Sequence, residues 1–374
     1  MRTLRILTSV LFMVLACGCV KINGNTTDDD PVPDINDDPS KDGVDPSTLP
    51  AEDWFTVNYL NRTDVQRAGF RGPVKSVRMD LCYVNGGPRY NYHTVNEYNE
   101  AGMLVRMRYI NSDDDSYNKT VTFAYDSKGR RSVMNFYYGE EERPSKVYNF
   151  VYNNPGKRVA FSWYDWAGES YRDTDIDISL DVLWLDLSSY HAEIDEGDSH
   201  RVEDRTYTFD DDGNLTIHDR EVYWNDRDSE GTVSTQKNDY LIVYSNGYPY
   251  SCENYIESAS WHMNGMPAKI HKVGGYISTW YENSNWVCKK SYIGGPEGML
   301  SPYWEEYTYD DNWDLVEREA SFSDNNYIHH FTWTDYAYDK HGNWVRRNYT
   351  CEPILQPGTF STDMERRTID YWGE

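Results

Sequence analysis

The chain has 374 residues, with 36 Lys+Arg against 62 Asp+Glu and a formal net charge of −26. An acid excess of that size argues against nucleic acid, whose phosphates need a basic footprint. An apolar fraction of 39% with 25 glycines excludes wholesale disorder, and 33 tyrosines favour strands over helices.

The first element in chain order, residues 1–19, is a secretory signal. Arg2 and Arg5 form a positive n-region, and Ile6 to Ala16 is an apolar run too short to span a bilayer. The segment ends Val14-Leu15-Ala16-Cys17-Gly18-Cys19. It resembles a bacterial lipoprotein signal, in which a small residue precedes a cysteine that is lipidated and becomes the new N-terminus. That resemblance points to Cys17 as the lipid attachment, with Cys19 as the alternative.

Residues 20–52 follow as a tether. Asp28, Asp29, Asp30, Asp34, Asp37, Asp38, Asp42 and Asp45 accompany five prolines and almost nothing apolar. Such a stretch buries too little surface to offset its chain entropy, so an acidic, disordered spacer reaching about 30 Å is expected. The acidic run resembles the export signal that sends some Bacteroidetes lipoproteins to the cell surface. The expected location is the outer membrane, facing the periplasm or the outside.

From residue 53 to 374 the pattern is a repeat. Its unit is an aromatic, Asp or Asn, two variable residues and Gly. The clean copies are Tyr98-Asn99-Glu100-Ala101-Gly102, Tyr125-Asp126-Ser127-Lys128-Gly129, Phe209-Asp210-Asp211-Asp212-Gly213 and Tyr338-Asp339-Lys340-His341-Gly342. Tyr309-Asp310-Asp311-Asn312-Trp313 and Tyr152-Asn153-Asn154-Pro155-Gly156 are degenerate. The intervals from 98 to 125 and from 125 to 152 are equal, and that from 309 to 338 is nearly the same. Asp or Asn caps a tight turn and Gly takes the left-handed conformation, so each unit predicts a β-hairpin. Alternation in Arg205-Thr206-Tyr207-Thr208-Phe209 has strand period. The fold class expected is all-β: a long curled antiparallel sheet of tandem hairpins, on the order of 16 to 22 strands, as a half-barrel or partly closed. Residues 179–189 break the pattern, with Leu180, Leu183, Trp184 and Leu187 at helical spacing. They predict a strand running into a short helix or turn that plugs an open end of the sheet.

At Tyr125-Asp126-Ser127-Lys128-Gly129-Arg130 and Tyr338-Asp339-Lys340-His341-Gly342-Asn343-Trp344 the chain resembles the YD-repeat proteins. It is more closely similar to short Bacteroidetes lipoproteins of unknown function that carry degenerate copies of that repeat. The resemblance covers residues 70–371 patchily and implies a curled antiparallel sheet. In large members of the family that sheet encloses a toxin. Here the sheet is too short to enclose a domain and no toxin-like segment follows it, so encapsulation is not expected.

The motifs of catalysis do not stand out. Glycine-rich phosphate loops, nucleophile elbows and paired zinc histidines are missing from the sequence. His329 and His330 are adjacent and point to opposite faces of a strand. Asp173, Asp175 and Asp177 have the spacing of a calcium loop, but Ile178 stands where Gly is required and Trp184 where the bidentate Glu belongs. No catalytic residue, cofactor or metal is therefore expected. Exposed aromatics can stack on sugars or anchor a protein, and Trp163, Trp166 and Trp224, near irregular loops, are the candidate contacts. Of the cysteines in the folded part, Cys252 and Cys288 are expected on strands separated by one neighbour, beyond disulfide reach. The function expected is a non-catalytic envelope lipoprotein, held to the membrane by its lipid and presenting the sheet to a protein or glycan partner, without nucleic acid. A carbohydrate-active enzyme using paired carboxylates and a structural envelope component are the alternatives.

Overall fold

The computed structural model describes residues 63–374 apart from 84–91, 112–115, 117, 140, 161–182, 196–198, 226–231, 253–255, 262–266, 273–275, 281–287, 294–302, 311–313, 323–327 and 354–360. A single short helix, α1 (Asp64–Arg67), precedes the strands. The first six strands are β1 (Val74–Tyr83), β2 (Tyr92–Tyr98), β3 (Leu104–Asn111), β4 (Lys119–Tyr125), β5 (Arg131–Tyr138) and β6 (Lys146–Val151). Two short strands follow, β7 (Arg158–Ala160) and β8 (Leu183–Leu185). Next come β9 (Ser189–Asp195), β10 (Ser199–Phe209), β11 (Leu215–Asn225), β12 (Thr232–Ser245), β13 (Tyr248–Cys252) and β14 (Ile256–Trp261). The last eight are β15 (Pro267–Lys272), β16 (Tyr276–Trp280), β17 (Cys288–Ile293), β18 (Tyr303–Tyr309), β19 (Leu315–Phe322), β20 (Ile328–Tyr338), β21 (Trp344–Pro353) and β22 (Ser361–Tyr371).

Twenty of these strands form one antiparallel sheet, and β7 and β8 form a separate pair. Each strand of the large sheet pairs with its predecessor and its successor, and β22 pairs back onto β1 from Val74↔Tyr371 to Tyr83↔Asp363. The hydrogen-bonded order therefore runs round to its start. Among the described residues its thinnest seam is β13 against β14, joined at Cys252↔Ile256. With a single rung there, the sheet is curled round on itself rather than closed as a regular barrel. The curl expected from accumulated strand twist goes far enough for β1 and β22 to meet.

The repeated motif makes the turns. Gly102, Gly129, Gly213 and Gly342 all have φ between 75° and 84°, the left-handed region that a Cβ opposes. In each turn the Asx side chain accepts backbone N–H groups ahead of it: Asn99 from Ala101 and Met103, Asp126 from Lys128 and Arg130, Asp339 from His341 and Asn343. The tyrosines do a second job. Tyr125 donates its hydroxyl to the Leu104 carbonyl at 2.6 Å, Tyr152 to Arg131 at 2.5 Å and Tyr336 to Leu315 at 2.5 Å. Each acceptor lies 21 residues upstream and closes the preceding turn. Each bond sits beyond the last backbone rung between one hairpin and the next, and so extends the ladder there.

Period-2 alternation sends apolar side chains to the inner face. Val121 and Phe123 on β4, Met134 and Phe136 on β5, and Tyr190, Ala192 and Ile194 on β9 are buried and adjacent across strands. Burying one such side chain stabilises by about 1.5–3 kcal/mol. A second apolar cluster holds Ala320, Phe331, Trp333, Tyr349 and Cys351. Arg205 and Arg318 are also buried, facing Asp219 at 3.1 Å and Glu305 respectively. The outer face of β9 to β12 carries His191–Asp204, Arg220–Asp204 and His218–Asp239 pairs. Helix α1 closes one end: Thr63 and Gln66 form a capping box, Val65 enters the core, and Asp64 accepts from the Leu104 N–H and shares the single Tyr125 hydroxyl proton with the Leu104 carbonyl.

Three expectations change. The turn at Tyr152 does not join neighbouring strands, because β6 pairs with β9 and the chain between them leaves the sheet through β7 and β8. Residues 183–185 are strand followed by a bend at 186, so of the expected helix or turn the helix falls: Trp184 packs on Phe150 and Tyr152, and Leu187 is fully buried without a helical turn. Cys252 on β13 and Cys288 on β17 are separated by three strands instead of one, because tight hairpins such as Asn246-Gly247 add strands between the motif turns; Cys252 is a free thiol.

The hydroxyl contact at Tyr125 can be measured directly. Tyr125→Phe removes the hydroxyl that the part-buried Leu104 carbonyl and Asp64 share and is expected to lower unfolding free energy by about 1–3 kcal/mol in urea titration. An unchanged midpoint would show that the bond adds nothing.

Candidate functional site

Consecutive outer-face positions of β22, β1, β2 and β3 form a depression of about 690 Å³. Two cross-strand rows define it. One runs Thr368–Arg78–Val95–Arg108 and the other Asp370–Ser76–Glu97–Arg106. Three strand gaps make it about 14 Å wide.

Two β-bulges supply its shape. The register between β1 and β22 shifts between Val74 and Ser76. Val74 and Val77 are both buried, so Lys75 and Ser76, consecutive in sequence, both face outward. The register between β2 and β3 shifts between Glu97 and Tyr98, which leaves Val105 as the extra residue. Bulges re-aim side chains, and here both added residues, Lys75 and Val105, line the depression. Val95, Val105 and Ile110 give it an aliphatic floor. Trp372, just beyond β22, forms one wall; its backbone N–H donates to the Pro73 carbonyl at 2.8 Å. The indole Nε1–H is buried without an acceptor, so packing rather than side-chain hydrogen bonding sets the ring.

The charges fall into two groups. Arg78 clamps Asp80 through Nε and Nη2 at 2.9–3.1 Å. Glu97 takes Arg108 at 2.8 Å and Arg106 at 3.3 Å, and Asp370 accepts the Ser76 hydroxyl at 2.7 Å. Lys75 differs. Among the described residues no carboxylate lies within ion-pair distance of it, and its Nζ stands 5.3 Å from the Trp372 ring centroid. His93 also lines the site. Burial, then the positive field of Arg78, holds its pKa below the ordinary 6.5, with Arg108 acting in the same sense and Asp80 against it.

The depression combines an apolar floor, an aromatic wall and a cation free of carboxylates. That set suits binding of a polar molecule with hydrophobic faces. Glu97, held by two arginines, is fixed in place as a charge partner. Among the described residues no three His, Cys, Asp or Glu side chains come together as metal ligands.

None of the sequence-predicted contact residues lies here. Cys17, Cys19, Trp163, Trp166 and the Asp173–Asp177 run fall outside the described residues. Trp224 sits on the outer face of β11, half-buried, with its ring 5.3 Å from that of His200. His329 and His330 do face opposite ways; His329 stacks on Phe331, and its Nδ1 lies 3.8 Å from Cys351 Sγ. Lys75, His93 and Trp372 escape the sequence reading. The available signal is the run Val74-Lys75-Ser76-Val77, where two polar residues between buried valines break strand alternation.

No family model and no curated protein matches the chain. Among solved structures, a porin-like protein from Bacteroides uniformis is similar over 80% of this chain and 98% of that one, at 12% identity and a TM-score of 0.23. A TcdB2-TccC3-TEV structure aligns with 74% of this chain at 10% identity and a TM-score of 0.21. A Photorhabdus luminescens Tc holotoxin pore aligns with 74% at 12% identity and a TM-score of 0.19. The chain spans 16% of the length of those two toxin chains. Similarities at these scores carry no argument about activity.

The depressed His93 pKa makes a pH test. The unfolded chain binds that proton from about 6.5 downward while the folded chain resists it. Folding stability contributed at this site is therefore expected to be intact above the ordinary pKa and to fall on acidification below it. Urea midpoints compared at pH 7 and pH 5 should drop less in His93→Asn than in the unaltered chain; equal drops would remove His93 from the account.

Proposed function

We propose that the chain is a non-catalytic envelope lipoprotein that carries a β-repeat sheet on a lipid anchor and binds glycan in the β22–β1–β2–β3 depression. The observation that carries the reading is the depression itself, where the Trp372 ring borders an aliphatic floor within a polar rim. Sugar rings have apolar faces edged by hydroxyls, and that lining matches both parts. The signal-like residues 1–19 and the acidic run after them support the envelope location. The outward ion pairs on β9 to β12 support a sheet that meets water rather than lipid, since a lipid-spanning strand turns its apolar side outward.

Two measurements test this. Purified lipidated chain on an oligosaccharide array should retain a subset of glycans, and Trp372→Ala should weaken retention about tenfold by calorimetry, the loss of roughly 1.4 kcal/mol. Trp224→Ala is expected to leave it unchanged. A blank array, or equal binding by Trp372→Ala, removes the reading; release of reducing sugar from a retained glycan would favour the enzyme alternative. For the anchor, Cys17→Ser is expected to abolish incorporation of labelled palmitate while Cys19→Ser does not. The reverse pattern assigns the lipid to Cys19, and no incorporation in the unaltered chain overturns the anchor.

A further inference from the structure

We infer that the glycan bound in this depression is acidic, with the Lys75 ammonium receiving its carboxylate. The inference rests on the glycan reading above and names its substrate class. Six acidic or basic side chains face the space: Lys75, Arg78, Arg108 and His93 against Glu97 and Asp370. Arg78 is committed to Asp80 and Arg108 to Glu97, while Asp370 holds Ser76. Lys75 is the lining cation left over. Other lysines of the chain also stand without a carboxylate in ion-pair distance among the described residues; Lys75 differs from them in lining a depression, beside the Trp372 ring.

The backbone is shaped to put it there. Without the bulge at Lys75, strict alternation would turn either Lys75 or Ser76 inward onto the core face. With it, the ammonium stands beside the Trp372 ring. A pyranose lying against the indole edge brings a ring carboxylate next to that ammonium, and the two fixed arginine pairs flank the position. A lysine gives a compact point charge on a flexible stem, which can meet a carboxylate without fixing its orientation as a guanidinium fork would. Because the whole protein is strongly negative, the attraction has to be local; at 0.15 M salt the surrounding field is screened beyond about 8 Å.

The experiment uses the full lipidated chain in detergent, with oligogalacturonate and oligoalginate each compared with its methyl-esterified form, which keeps the sugar and removes the charge. The acidic forms are expected to bind at least tenfold tighter than their esters, and less tightly as NaCl rises. Lys75→Gln should bring the acidic form and its ester to the same affinity, and Lys75→Arg should restore part of the preference. Equal affinity for acid and ester, or equal weakening of both by Lys75→Gln, overturns the inference and leaves the glycan reading standing. Binding of neither form, with neutral oligosaccharides also unbound, overturns both. Tighter binding of a sulfated oligosaccharide than of any uronate replaces the carboxylate by a sulfate ester, and tight binding of poly-aspartate assigns the site to acidic peptides; each overturns the uronate assignment.

Discussion

At three junctions of the sheet one hairpin is tied to the next by a tyrosine hydroxyl bond. Tandem hairpins are held within each unit by a turn and a full ladder, but the junction between units loses its backbone rungs near the turns. Between β3 and β4 the ladder stops at Arg106↔Thr122, and the Tyr125 hydroxyl then reaches the Leu104 carbonyl beyond it. Tyr152 on Arg131 and Tyr336 on Leu315 do the same for their junctions. Burial pushes the pKa of all three phenols upward, so they remain donors throughout the physiological range. This bond, more than the turn, sets the period. The interval from the turn motif at 309 to that at 338 exceeds the interval from 98 to 125, yet Tyr309 to Tyr336 matches it. A bulge at Asp335, with φ 54°, absorbs the difference.

Strand alternation then decides which medium each face meets. On β4, β5 and β9 the inner positions are valine, phenylalanine, methionine, tyrosine, alanine and isoleucine, and the outer positions of β9 to β11 carry ion pairs. A strand crossing lipid would reverse that order. Of the charges on the inner face, Arg205 and Arg318 each meet a carboxylate, which offsets their desolvation, whereas Arg367 lies against the Phe70 and Trp344 rings, where burial pulls its pKa down to about 9. The alternation also explains why one residue of slippage matters. A one-residue slip exchanges core and solvent faces, so each bulge re-aims the side chains beside it, and bulges recur at the motif turns, as at Tyr98, Tyr125, Tyr309 and Tyr338.

Much of this architecture is legible in the residues themselves. The glycines at 102, 129, 213 and 342 mark left-handed turn positions because no other residue adopts them cheaply, and Asn99, Asp126 and Asp339 mark the caps that accompany them. What is not legible is non-local. Nothing in Tyr152-Asn153-Asn154-Pro155-Gly156 shows that β6 will pair with a strand as distant as β9, because that choice is made by the packing of Phe150 against Tyr190 and Trp184. The tyrosine of the motif reads as a strand aromatic, and its hydroxyl partner 21 residues away emerges only when neighbouring hairpins dock. The depression is hidden for the same reason. Its walls come from segments as far apart as Lys75 and Trp372, and Trp372 reads from sequence merely as the end of the last strand.

The meeting of the sheet's ends and the depression are one construction. β1 and β22 are the first and last strands, and their pairing brings Lys75 to Trp372 and Ser76 to Asp370. Asn343 adds a lock at the same seam, accepting the Arg71 N–H and donating to the Arg71 carbonyl and the Tyr371 hydroxyl. A seam joining the first strand to the last costs more closure entropy than any local hairpin, although that cost grows only slowly with loop length. The bulge at Lys75 removes regular ladder from this same seam. A molecule seated across β22, β1 and β2 touches both sides of it and binds only the joined form, so by linkage its binding free energy adds to the stability of the seam. On the proposed binding, the bulge that interrupts this ladder is also what would give a ligand purchase on both ends of the sheet.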